Sequence, residues 1–192
     1  PIYDYFREAK IDFFKAHYAL FKNNFIEAIA QIENSIDKFN LAKNSRVETQ
    51  TLIEKLNILI EAGIKEKINP TITKIEHLIN QIKGSYSNDL FQAIKYFNKS
   101  QNGSINIEEL NAYRKSLEEK RDFIPLNLPL TYWYLARAYR SLDQLDIANN
   151  CYEKAQKYLA SLGNRISGEE DRTSFFKVYF HHRIGEKLGG KT

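Results

Sequence analysis

The 192 residues carry 28 Lys and Arg against 24 Asp and Glu, a net charge of +4 spread along the chain rather than gathered in one run, so the charge pattern points to neither nucleic acid nor an anionic membrane surface. With 43% apolar residues the chain has enough material for a substantial core, which excludes a disordered segment. A single cysteine, Cys151, excludes an internal disulfide and fits a reducing compartment; no run of about 18 apolar residues is present to span a membrane, and no signal peptide opens the chain. Four prolines, eight glycines and almost no period-two alternation predict a chain that is nearly all helix. Helical pattern from the first residues, a Pro1 start and the lack of methionine are what a piece of a longer protein would show.

Tyr5, Phe6, Ala9, Phe13, Ala16, Leu20 and Phe21 recur at helical intervals between residues 3 and 22, and Asn23-Asn24 ends the run. A second helix is predicted from Ile26 to Leu41, so residues 1–42 read as a helical hairpin. From Arg46, Leu52, Leu56, Leu59, Ile60 and Ile64 form one stripe; after Asn69-Pro70, Ile72, Ile75, Ile79 and Ile82 form another at spacings of three and four. Two such segments predict antiparallel helices closing on each other. The alternative, a dimerising seam through residues 46–83, wants more heptads than these supply. Gly84-Ser85 ends the pair, and Ser87 is placed to cap a helix running to about Phe97.

Asn98, Ser100, Asn102, Gly103, Ser104, Ile105, Asn106 and Glu109 fall at the spacing of a calcium-binding EF-hand loop, with helical pattern on both sides. The ligand chemistry is poor, because Glu109 alone is charged and a hard cation gains little from amides and hydroxyls. The favoured reading is a polar helix–helix loop in which Asn102-Gly103 turns, Asn106 caps the helix from Ile107 to Arg121, and Glu109 completes the cap. That helix ends in the charged run Glu118-Glu119-Lys120-Arg121, read as a solvated face; Phe123-Ile124-Pro125 and Pro129 then delay the next one. Residues 44–122 thus read as two atypical hairpins.

Residues 129–162 predict two helices joined at Leu142-Asp143-Gln144-Leu145. Small Ala136 and Ala148 let the helices approach closely while Tyr139 and Tyr152 fill the gaps beside them. Gly163-Asn164 stops the second helix. Ser167 with Glu170 reads as a capping box opening a final helix over 167–188, with Glu169, Glu170 and Asp171 in its first turn and Phe175, Phe176, Tyr179 and Phe180 along one aromatic side.

Tyr132, Leu135, Ala136, Tyr139, Ala148, Tyr152 and Ala155 stand where a tetratricopeptide repeat, a helix–turn–helix unit of about 34 residues, carries its signature; only the closing proline is replaced, by Ala160. Aligned from Ala9, the first hairpin resembles a divergent repeat through Ala16, Phe25 and Ala28, with Lys15 and Ala19 off pattern. Residues 128–184, with Arg165-Ile166, Arg172, Ser174-Phe175 and His182-Arg183-Ile184, are similar to the C-terminal repeat region of large bacterial STAND-type signalling ATPases and regulators. The resemblance implies an all-α, right-handed solenoid of antiparallel helix hairpins, about nine helices over residues 1–192 as one repeat domain. The terminal helix would cover the last repeat. It further implies a cytoplasmic protein-interaction or regulatory scaffold that binds a peptide or a neighbouring domain on its concave face. The partner-facing residues would be Leu130, Trp133, Arg137, Arg140 and Ser141 in the later repeat, and Phe13, His17, Leu20 and Phe21 in the first. Trp133, Arg137 and Arg140 share one helix face, and a ring beside two guanidiniums suits an acidic peptide, unless Trp133 packs inward and both arginines are simply solvated.

No catalytic order of Ser, His and Asp, no carboxylate pair in a recognisable setting and no cofactor motif point to an enzyme. Adjacent helix residues point about 100° apart, so His181-His182 cannot share a metal, and Cys151 reads as a small packed residue. The tail from Gly185 to Thr192 satisfies the phosphate-loop spacing but lacks the following helix that would hold a phosphate. The rival expectations are a calcium-responsive module built on the loop at 98–109, and a ligand-free spacer or homodimerisation element.

Overall fold

In a computed structural model, residues 2–82, 89–119 and 125–186 are described, residues 2 and 3 by backbone alone; Gly84, Ser85, Ser87, the end of the Glu118 to Arg121 run with Phe123 and Ile124, and most of the phosphate-loop-like tail lie outside the described residues. The described residues form ten α-helices and one short 3-10 turn, with no strand, as the composition predicts. The extra helix comes from the C-terminal end, where the single helix expected over 167–188 is two.

The same kind of turn recurs between helices along the chain. One residue takes a positive φ in each of five turns: Asn23, Lys43, Gly63, Gly103 and Asp143. Twenty residues separate Asn23 from Lys43 and Lys43 from Gly63, and forty separate Gly63 from Gly103 and Gly103 from Asp143. After each, the next amide reaches back five residues to a helix carbonyl, as from Asn24 to Ala19, Asn44 to Phe39, Ile64 to Leu59, Ser104 to Lys99 and Gln144 to Tyr139. This left-handed closure satisfies carbonyls that the helix end would otherwise leave bare. At two turns one asparagine ends a helix and starts the next: the side chains of Asn24 and Asn44 accept from the amides of Glu27 and Val47. A helix pair therefore recurs every 40 residues or so, rather than every 34.

The chain forms two compact units, Pro1–Ser87 and Asn88–Thr192. In the first, α1 (Ile2–Phe21), α2 (Phe25–Leu41), α3 (Ser45–Glu61) and α4 (Ile68–Gln81) each pack on the next in sequence, with the 3-10 turn (Lys65–Lys67) leading into α4. Small residues set the closest approach: Ala9, Ala16 and Ala28 are fully enclosed, and the Ser35 hydroxyl of α2 donates to the Ala9 carbonyl of α1 at 2.8 Å. The Asp12 carboxylate joins the same two helices by accepting from Lys38 at 2.7 Å and Lys15 at 3.2 Å. The two isoleucine and leucine stripes expected to close on each other do so in part: Leu52, Leu56, Leu59 and Ile75 are buried where α3 packs on α4, while Ile60, Ile72 and Ile79 are half-buried.

In the second unit α7 (Leu128–Arg140) is the central rod, packing on α5 (Asp89–Gln101), α8 (Leu145–Gly163) and the last helix. Tyr132, Leu135, Ala136, Tyr139, Ala148, Tyr152 and Ala155 are all buried. α6 (Ile107–Glu119) reaches its neighbours through long side chains. Tyr113 stacks on Tyr96 and donates to the Asp89 carbonyl of α5, the Tyr139 hydroxyl of α7 donates to Asn111, and Lys154 of α8 pairs with Glu118 at 2.5 Å.

The C-terminal segment breaks at Val178, whose extended backbone separates α9 (Glu169–Lys177) from α10 (Tyr179–Gly185). The break lets Phe180 and Ile184 bury against the bundle, and α10 is tied to α8 by the Tyr152 hydroxyl, which donates to the Glu186 carbonyl. The capping box expected from Ser167 and Glu170 does not form. α9 begins at Glu169 after Gly168 with no side-chain cap, and the Arg172 guanidinium instead turns back to donate to the Ile166 carbonyl.

Candidate functional site

The face expected to receive a partner in the second unit is built on α7. Trp133, Arg137 and Arg140 follow at helical spacing, but their roles separate. Trp133 is only 3% exposed, and its ring is a floor rather than a contact surface. The Arg137 guanidinium lies 4.4 Å from the Trp133 ring and 4.4 Å from the Phe97 ring of α5, with Tyr134 at 5.4 Å. Two aromatic faces thus hold a planar, delocalised cation that stacks well. Arg140, one turn on, is exposed, and Leu130 is half-buried one turn before. Ser141 serves the scaffold: its hydroxyl donates to Ala138 O and bonds to the Ser100 hydroxyl of α5 at 2.8 Å. The arrangement presents one positioned and one outlying guanidinium on an aromatic base.

In the first unit the expected residues face different ways. Leu20 is fully buried in the core. Phe13 and His17 are half-buried and stacked 4.5 Å apart, whereas Phe21 is exposed. His17 lies near Glu54 of α3, whose carboxyl burial raises above its ordinary value, with the opposing charge of His17 and a hydrogen bond from Asn57 offsetting only part of the rise. Asn57 is wholly enclosed and gives its amide to Glu54 at 3.4 Å. Sequence reading missed Glu54 and Asn57; the signal present was that they, with Lys55, interrupt a run otherwise of Leu and Ile from 52 to 60.

A second feature not foreseen is an open groove of about 410 Å³ among α2, α3 and α4. Its lysines are paired: Glu33 takes Lys55 at 2.8 Å and Lys67 at 3.4 Å, and Lys74 takes Glu48 at 3.0 Å. Burial raises the Glu33 pKa, but its two lysines outweigh that and hold the carboxyl below the usual range.

The loop at 98–109 spends its polar groups on the chain. Ser100 donates to Phe97 O and Ser104 to Lys99 O, the Asn106 side chain caps α6 by accepting from the Glu108 amide at 2.8 Å, and Glu109 pairs with Lys99 at 3.5 Å. Glu109 therefore does not complete the cap. No cluster of three or more His, Cys, Asp or Glu suited to a metal occurs among the described residues. Cys151 is enclosed, and burial pushes its thiol up to about 11, far from a reactive thiolate. His181 and His182 diverge, the first sitting on the Phe175 ring and carbonyl, the second 3.6 Å from Glu186. Burial lowers the His181 pKa more than its Phe175 carbonyl contact raises it.

No family model matches the chain, no curated protein matches it, and no solved structure matches its fold. None of the described helices is long and apolar enough to cross a membrane.

Proposed function

We propose that the chain is a helical-repeat scaffold that binds an acidic peptide or the acidic surface of a neighbouring domain across the α5 and α7 face of its second unit. The observation that carries the reading is the Arg137 guanidinium held between the Phe97 and Trp133 rings, beside exposed Arg140. A cation fixed in place loses little freedom when a carboxylate arrives, and a guanidinium fork binds that carboxylate through two parallel hydrogen bonds. The tetratricopeptide relationship is supported by the burial of all seven signature side chains between 132 and 155, and by the near identity of the helix-closing turns. The 40-residue recurrence departs from the tetratricopeptide length and lies within the range of about 34 to 47 residues that helix-pair repeats span. A cytoplasmic role in bacterial signalling rests on the sequence resemblance, and the reading that the chain has no enzymatic activity or cofactor of its own rests on the lack of catalytic and cofactor motifs in the sequence.

A titration of the whole chain with a fluorescently labelled, extended Asp/Glu-rich peptide tests the proposal. Arg140→Gln, an exposed change, is expected to weaken binding about tenfold at low salt with an unchanged melting temperature. An affinity that does not respond to Arg140→Gln removes the proposed face.

A further inference from the structure

The outer face of α1 carries a second surface, on the side of the helix away from Ala9, Ala16 and Leu20. Ile11, Phe14, Tyr18 and Phe21 are spaced three, four and three residues apart and are 46%, 68%, 60% and 56% exposed. The alternation of three and four is that of a heptad repeat, which keeps a seam facing one partner helix, with Ile11 and Tyr18 at a positions and Phe14 and Phe21 at d. The flanking e and g positions hold Lys15, Lys22 and Lys10, and Lys22 sits 4.4 Å over the Tyr18 ring at the edge of the seam. Glu8, at the preceding e position, is already taken by Lys38 at 3.2 Å, and Lys15 reaches the buried Asp12 at 3.2 Å. One turn earlier the seam ends, since Asp4 and Arg7 occupy the next a and d positions.

We infer that this seam is a docking site for an acidic amphipathic helix of about two heptads, whose apolar residues interdigitate with Ile11, Phe14, Tyr18 and Phe21 while its carboxylates meet Lys10, Lys15 and Lys22. Charge selects the occupant. A second copy of this chain sets one basic border against another in either orientation, because the e and g positions beside Ile11 to Phe21 hold Lys10, Lys15, His17 and Lys22, and Glu8 is engaged by Lys38. Area agrees: taking about 200 Å² for each aromatic side chain, the four residues leave about 450 Å² of apolar surface, large for a lone patch yet well short of the roughly 800 Å² a standing dimer buries per partner. A narrow seam bordered by cations on both sides also suits a rod better than a lipid surface, which takes a broad apolar face. The site is separate from Arg137 and Arg140, so it stands or falls independently of the function proposed above.

The probes are two labelled peptides of three heptads with Leu at a and d, one carrying Glu and the other Lys at e and g, with a proline-broken version of the Glu peptide as the unfolded control. By fluorescence anisotropy the Glu helix is expected to bind about tenfold tighter than the Lys helix. Lys10→Glu with Lys22→Glu, which leaves the Lys15–Asp12 pair intact, is expected to invert that preference, Phe14→Ala with Phe21→Ala to abolish binding, and Arg140→Gln to change nothing, all at unaltered melting temperature. Equal binding of the two helices, binding of the proline-broken peptide as tight as the intact one, or no binding overturns the inference. So does a concentration-dependent dimer that Phe14→Ala disperses, or retention on phosphatidylcholine–phosphatidylserine vesicles that the same substitution releases.

Discussion

Glu54 and Asp12 show how two carboxyls in one unit respond oppositely to burial. Burial raises the Asp12 pKa, but the hydrogen bonds and charges of Lys38 and Lys15 outweigh it and hold the group below 3.8; its contribution to stability is present above that pH and is lost as the pH falls through the lower folded value. At Glu54 burial prevails, so the folded chain keeps the proton beyond the ordinary 4.5, and stability is full below that pH and falls as the pH rises through the folded value. Glu54→Gln, which mimics the protonated acid, is therefore expected to raise the melting temperature at pH 8 and leave it nearly unchanged at pH 4; equal shifts at both would contradict the assignment. Ala136 is fully enclosed where α7 meets its neighbours. Ala136→Leu is expected to cost about 1–3 kcal/mol in urea unfolding, the usual price of overpacking a filled core.

Among the elements, the turns carry the least expected information. Asn23-Asn24, Asn102-Gly103 and the joint at Leu142 to Leu145 are legible as turns, but the left-handed residue is not when it is Lys43 or Asp143, because at a helix C-terminus it is most readily recognised as Gly or Asn. An L side chain in that region costs about 1 kcal/mol, and Lys43 is exposed. Lys43→Gly is accordingly expected to stabilise the chain by up to about 1 kcal/mol, whereas Asn44→Ala, which deletes the side-chain bond to the Val47 amide, is expected to destabilise it by about as much. Helix positions were readable to within a few residues since periodicity reports which face is buried. The break at Val178 was hidden because aromatic residues run through it without a proline or glycine, and it follows from where Phe180 and Ile184 must go. The face of α7 was legible as spacing, and the inward packing of Trp133 was one of its two readings; what the spacing could not show is that Phe97, 36 residues earlier on α5, shares Arg137 with that ring. The α1 seam was half seen: Phe21 was read with Phe13 and His17, although a 100° step per residue carries it round toward Phe14 and Tyr18.

At the scale of the whole molecule, a modest +4 charge conceals two local concentrations of cation, one guanidinium pair on α7 and one lysine-bordered seam on α1, each beside aromatic rings. Elsewhere among the described residues, Cys151 is enclosed with its thiol pushed up to about 11, and in the 98–109 loop Asn106 caps α6 and Glu109 pairs with Lys99. The central claim is that Arg137 acts through its fork and not merely its charge. Arg137→Lys keeps the cation but loses planar stacking and bidentate recognition. Titrating this variant with the extended acidic peptide should give at least about a tenfold loss of affinity at low salt with the fold retained by circular dichroism, and an affinity equal to that of the unaltered chain would contradict the account.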